Sequence, residues 1–132
     1  MPRYRNSLPQ LSGDIFLTDA GVETDLMFNH GIEIREFAAH TLLPIPKSRE
    51  ALSRYFEGFL ALANQQNTGF ILDTVTWKAH RHWAEKLGAT DDELKAANEE
   101  NVRFIAELRA RFSGNVKSIV LNAVMGPRGD AY

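Results

Sequence analysis

Three apolar runs alternate with amphipathic stretches along this 132-residue chain, and each run ends on polar or small residues. Ile15-Phe16-Leu17-Thr18 leads to Asp19. Phe70-Ile71-Leu72-Asp73 leads to Thr74 and Thr76. Val116 to Val124 carries Asn122 and leads to Gly126. Continuous apolar runs of this kind suit strands buried on both faces, as parallel strands are. The order strand, helices, strand, helices, strand predicts an α/β fold with parallel strands joined by right-handed crossover helices. Ligand chemistry in such folds collects at the C-terminal ends of the strands. The three polar ends are therefore expected side by side on one face.

The intervening segments carry helix signals. Residues 1–13, with Pro2, Pro9 and Gly13, read as an irregular lead-in to a first strand over Asp14–Thr18. A short helix over Val22–Asn29 is stopped by Gly31. Ile32–Pro46 is mixed; Phe37, Leu42 and Leu43 are expected to fold back onto the core, and Pro44 and Pro46 to end regular structure. Ser48 has the form of an N-cap for a helix to about Gln66. Its apolar stripe is Leu52, Tyr55, Phe56, Phe59, Leu60 and Ala63. Asn67-Thr68-Gly69 ends that helix, and the second strand is expected over Phe70–Thr76. A helix over Lys78–Leu87 closes at Gly88. Thr90-Asp91-Asp92-Glu93 has the form of a capping box. It opens a long helix to about Phe112, with Leu94, Ala97, Asn101, Phe104, Ile105, Leu108 and Phe112 on one side. After the third strand, residues 126–132 read as a loop.

Composition excludes several classes of function. Fifteen basic against 17 acidic residues give a net charge of −2, with no basic excess to draw nucleic acid. No apolar run approaches the ~20 residues that span a bilayer, and the polar start Met-Pro-Arg-Tyr-Arg-Asn lacks the apolar core of a secretion signal. The chain has no cysteine, so it supplies neither a disulfide nor a thiolate ligand. A cytoplasmic location fits this picture.

The segment Leu17–Leu26 carries the clearest chemistry. A carboxylate, Asp19, ends the first strand, and the small residues Ala20-Gly21 turn the chain into a helix. Small residues let a ligand approach the backbone, and the first amides of a helix favour an anion. One short segment thus offers Asp19 to a cationic group and the backbone at Gly21 and Val22 to an anionic one, the two charges of an amino acid. The alternative is that Asp19 caps the helix. Thr74 and Thr76 either line a site or satisfy backbone groups at the strand end. Trp77 fits packing as well as ligand contact. His80 and His82, two apart on a helix, point in different directions and do not suggest a metal pair. His30 and His40 read as surface residues, Arg128 as a solvated loop arginine, and Glu23 and Asp25 as partners of the helix dipole.

Asp19-Ala20-Gly21-Val22-Glu23-Thr24-Asp25-Leu26 resembles the first-strand motif of the homocysteine S-methyltransferase family. Gly69 to Ala79 is similar to its second-strand motif, where a Thr-Asn-Thr-aromatic run follows apolar residues. Leu87-Gly88 before the long helix and Gly126-Pro127 after the third strand also fit. The resemblance implies a (β/α)8 TIM barrel of which this chain is the N-terminal portion, a single incomplete domain over residues 1–132 with about three parallel strands and crossover helices. It implies methyl transfer to the sulfur of homocysteine, giving methionine, from a donor such as S-methylmethionine. Zinc is expected for the full-length family, held by cysteines that this chain lacks; the metal keeps the thiol deprotonated.

Carried over by position, Asp19 matches the group that binds the homocysteine amine, and the backbone at Gly21 and Val22 the turn that receives its carboxylate. Thr74, Thr76 and Trp77 match the pocket wall, an aromatic there suiting a cationic donor; Gly126 and Pro127 match the third-strand loop. Ala20 and Glu23 stand where the family commonly has glycine, and Val75 where it has asparagine. No catalytic residue or metal ligand is assigned. The chain alone is expected to be inactive in zinc-dependent transfer. The alternative is a non-catalytic truncated-barrel module that self-associates or binds a complementing chain.

Overall fold

The computed structural model describes residues 3, 4 and 6–129. Strands β1 (Phe16–Leu17), β2 (Gly69–Asp73) and β3 (Ser118–Asn122) form one parallel sheet in that order. Helices α1 (Val22–Phe28) and α2 (Pro46–Gln65) connect β1 to β2, and α3 (Arg81–Leu87) and α4 (Asp91–Phe112) connect β2 to β3. The α/β class and the parallel crossover arrangement expected from the alternating pattern are present.

Register divides the sheet into two faces. Leu17 lies opposite Phe70, Phe70 opposite Ile119, and Leu72 opposite Leu121. These residues join one apolar cluster with Leu52, Phe56 and Leu60 of α2 and Phe104, Ile105 and Leu108 of α4. Phe70, Leu72, Leu52, Phe56 and Leu60 have no exposed surface. Burying a side chain of this size stabilises by about 1.5–3 kcal/mol, so the helical face carries most of the cohesion. On the other face the Phe16 ring lies over Gly69, where a Cβ would come within 2.3 Å of it. The N-terminal segment also reaches this sheet, the Tyr4 hydroxyl meeting Ser118 Oγ at 3.0 Å.

Several expected boundaries move, each for a physical reason. β1 is an edge strand rather than one buried on both faces, so Ile15 is 70% exposed and Phe16 and Leu17 are half-buried. Helix α2 begins at Pro46, not after Ser48: Ile45 is the N-cap, and its carbonyl accepts from the Arg49 amide at 2.8 Å. Proline suits the first helical turn because its missing N–H is not needed there. Phe37 does not join the core. Glu36 and Phe37 have φ of 53° and 55°, and the Phe37 side chain is 48% exposed, whereas Leu42 and Leu43 are buried as expected. β2 stops at Asp73. Helix α3 starts only at Arg81, because the Ala79 amide turns back to the Thr76 carbonyl and His80 is extended. β3 starts late because the Val116 amide still bonds to Phe112 at the end of α4.

Other local signals hold. Gly88 closes α3 in the left-handed region at φ 74°, and Thr90 and Glu93 form both bonds of the capping box on α4. Asn101, in the apolar stripe of α4, is fully buried. Its Oδ1 accepts from the Val75 amide at 3.2 Å and its Nδ2 donates to the Ala97 carbonyl at 2.9 Å. Asn101 thereby satisfies backbone just where β2 has ended. Asn101→Leu leaves the buried Val75 amide without an acceptor and should cost about 1–3 kcal/mol, read as a lower urea midpoint with an unchanged slope.

Candidate functional site

A cleft of about 860 Å³ opens at the C-terminal ends of the strands. Thr18 and Asp19 after β1, Asp73, Thr74 and Val75 at the end of β2, and Val124 after β3 all line it. The parallel register brings these ends together. Gly21, Val22 and Trp77 also line it, whereas Thr76, Gly126 and Pro127 do not.

Asp19 is half-buried and is not a helix cap: α1 is preceded by Gly21, with no side-chain capping bond. The Tyr55 hydroxyl, from α2, accepts from the Ala20 amide at 3.1 Å and donates to Asp19 Oδ2 at 3.3 Å, a long contact. Burial, then the charge of Asp73, push the Asp19 carboxyl up to about 6, with the Tyr55 bond acting against them. The Tyr55 phenol is itself pushed above its ordinary range by burial and by Asp19. Asp19 has no ion pair among the described residues.

The two threonines act as a clip. The Thr76 hydroxyl donates to the Val124 carbonyl at 2.6 Å, and the Val124 amide donates to Thr74 Oγ1 at 2.9 Å. Thr76 has spent its proton, so it accepts from the Thr74 hydroxyl at 2.6 Å. Both side chains are buried, and their hydroxyls tie the segment after β3 to the segment after β2. Gly126 continues this clip: a Cβ there would lie 2.0 Å from the Trp77 carbonyl oxygen, so the close approach excludes any side chain. Pro127 is exposed, and Asp130, Ala131 and Tyr132 fall outside the described residues.

Sequence reasoning did not single out Tyr55, Asp73 or Lys78 for the site, and it read Glu23 through the helix dipole and as a departure from a common family glycine, not as a site residue. Tyr55 left one trace, a hydroxyl at the margin of an apolar stripe. Lys78 sits on a turn, is 7% exposed and lines the cleft. Its Nζ donates to the Glu36 carbonyl at 2.7 Å and lies 3.7 Å from the centroid of the Trp83 ring. Glu23 also lines the cleft; burial raises its carboxyl, opposed by its own backbone bond and by the charge of Lys78.

The histidines differ from expectation in two cases. His80 is extended ahead of α3 rather than on a helix with His82, and the two rings stack with centroids 6.4 Å apart instead of pointing in different directions. His40 is 7% exposed rather than on the surface, because the 3-10 turn Ala39–Leu42 is held against α4. His30 pairs with Asp25 at 3.2 Å. The donors do not fit zinc: the chain has no cysteine, and no group of three or more His, Asp or Glu is placed to hold a metal among the described residues. No described helix is long and apolar enough to cross a membrane.

Asp19 and His40 impose opposite pH slopes on stability. The Asp19 value is raised from 3.8 to about 6, so its contribution is full below 3.8 and is lost as pH rises through 6. Burial, then the charge of His80, lower His40 from 6.5 to about 4, so its contribution is full above 6.5 and is lost as pH falls through 4. The His40 term amounts to roughly 3 kcal/mol at most. Relative to the parent chain, Asp19→Asn should gain stability as pH rises from 3.8 to 6, and His40→Gln as pH falls from 6.5 to 4. Denaturant melts at stepped pH check this; shifts of the same sign in both variants would contradict it.

Comparison of the chain with protein-family models, with curated proteins and with solved structures finds no match. The functional reading therefore rests on the residues themselves.

Proposed function

We propose that this chain is homocysteine S-methyltransferase-like, part of a (β/α)8 barrel that carries the homocysteine-recognition half of the site. One observation carries the reading. Asp19 is a half-buried carboxylate with no capping role and, among the described residues, no cation of its own, and it lines a cleft at the C-terminal ends of parallel strands. A buried carboxylate without a counter-ion is costly, and a ligand ammonium offsets that cost.

The cleft volume, about 860 Å³, leaves room for a second small molecule beside an amino acid. Trp77 and Phe37 border it, and aromatic faces attract a sulfonium or quaternary ammonium donor such as S-methylmethionine. The reaction class is methyl transfer to the sulfur of homocysteine, giving methionine. The reading assigns recognition to this chain and not sulfur activation, because the chain has no thiolate for zinc. A second reading, a non-catalytic module that pairs with another copy or a complementing chain, is favoured by the sheet edges. Among the described residues β1 and β3 each pair on one side only, and Ile15 and Met125 beside them are 70% and 89% exposed.

Calorimetric titration with homocysteine tests the first reading. Saturable binding is expected, weakened about tenfold or more by Asp19→Ala, since a charge-assisted hydrogen bond is lost. Binding should be level above pH 6 and weaken below it as the Asp19 carboxyl takes up its proton. Absence of binding, or equal binding by the variant, would overturn this reading and leave the module.

A further inference from the structure

Lys78 is the one cation lining the cleft among the described residues, where Asp19, Glu23, Glu36 and Asp73 also contribute. Its burial sets it apart from the other basic side chains, which fall in the half-buried or exposed classes among the described residues. A lysine ammonium has three donors. Among the described residues Lys78 Nζ makes one hydrogen bond, to the uncharged Glu36 carbonyl, and no ion pair. Glu23, whose carboxyl feels the Lys78 charge, lies outside ion-pair distance. The groups around Nζ are the Glu36 carbonyl, the Phe37 ring at 6.0 Å and the Trp83 ring at 3.7 Å, and all three residues line the cleft. A buried ammonium is stable only when paired and hydrogen-bonded, and a ring face and one carbonyl supply part of that. Two donors remain on a side chain that borders open space.

We propose that Lys78, in place of the backbone at Gly21 and Val22, is the anion receptor of the cleft and takes the carboxylate of the ligand whose ammonium group Asp19 takes. The ammonium half of this statement rests on the amino-acid reading above; the Lys78 half stands on its own surroundings. The cleft then selects zwitterions by two side chains from different strand ends, Asp19 after β1 and Lys78 beyond β2. Lys78 also holds Glu36 and Phe37, two residues other than glycine in the left-handed region, so an anion bound at Nζ is coupled to this wall of the cleft. Strain of this kind persists only where surrounding contacts over-determine it.

The test uses half-ligands on the full chain, by calorimetry. 4-Sulfanylbutanoate has the carboxylate and thiol without the amine, 4-sulfanylbutanamide replaces the carboxylate by a neutral amide, and 3-aminopropane-1-thiol has the amine and thiol without the carboxylate. The parent chain should bind the butanoate about tenfold or more tightly than the butanamide, as expected when a charge-assisted bond is lost. This comparison needs no variant. Lys78→Met should remove the preference and leave 3-aminopropane-1-thiol unaffected, while Lys78→Arg should keep it. Equal binding of butanoate and butanamide by the parent chain, or no binding of either, overturns the proposal. So does a preference that survives in Lys78→Met. Homocysteine binding that depends on Asp19 but not on Lys78 would leave the amino-acid reading standing and remove this one. Butanoate binding that depends on Lys78, with no homocysteine binding, would do the reverse.

Discussion

The structure depends on the parallel pairing of β2 between its two neighbours. Among the described residues β2 is the only strand paired on both sides, and Phe70 and Leu72 on its helical face are fully buried. That face takes the apolar stripes of α2 and α4, so both helices are fixed in orientation by one short strand. Ion pairs between those helices, Arg49 with Glu100 and Glu107 and Arg111 with Glu57, lie at the half-exposed margin and add little beside the core. The cleft inherits its position from the same pairing. Parallel strands in register end together, so the segments beyond β1, β2 and β3 are all delivered to one place.

Beyond the strand ends, hydrogen bonds from side chains replace the ladder. The Thr74 amide takes one more step to the Asn122 carbonyl at 2.9 Å, and then Asn101 and the Thr74–Thr76–Val124 clip take over. These groups satisfy backbone that would otherwise be buried without partners, a requirement as strict as the packing itself. The irregular chain beneath the cleft is consequently cross-tied by side-chain hydrogen bonds. Thr74 and Thr76 spend their hydroxyls there, which leaves the charged residues above them to meet a ligand.

Those charges are unevenly balanced. Among the described residues four acidic side chains and one lysine border the cleft, and burial raises the two carboxyls nearest the turn after β1. A site of this kind favours a ligand that brings its own positive charge, since it relieves the repulsion among carboxylates as well as their desolvation. Tyr55 ties the arrangement to the core: one hydroxyl joins α2 to the Ala20 amide and to Asp19.

The alternation of apolar runs and helical stripes determined the fold class from sequence, because burial imposes a period on each element and the periods are local. Gly88 and the Thr90–Glu93 box were legible for the same reason, since a cap involves residues a few positions apart. The turn at Asp19 was legible as a place where chemistry could sit. The surroundings of Asp19 there were not, because its neighbours Tyr55 and Asp73 are far away in the chain and only packing brings them near. Tertiary structure alone decided that the two threonine hydroxyls face Val124, that Gly126 serves the approach of Trp77, and that His40 and Lys78 are buried. It also decided that Phe37 stays out of the core, since two successive left-handed residues turn the chain away from it. Local periodicity specifies which face of an element is apolar. It carries no information about which distant polar group will arrive beside it, and in this protein the cleft is made of such arrivals.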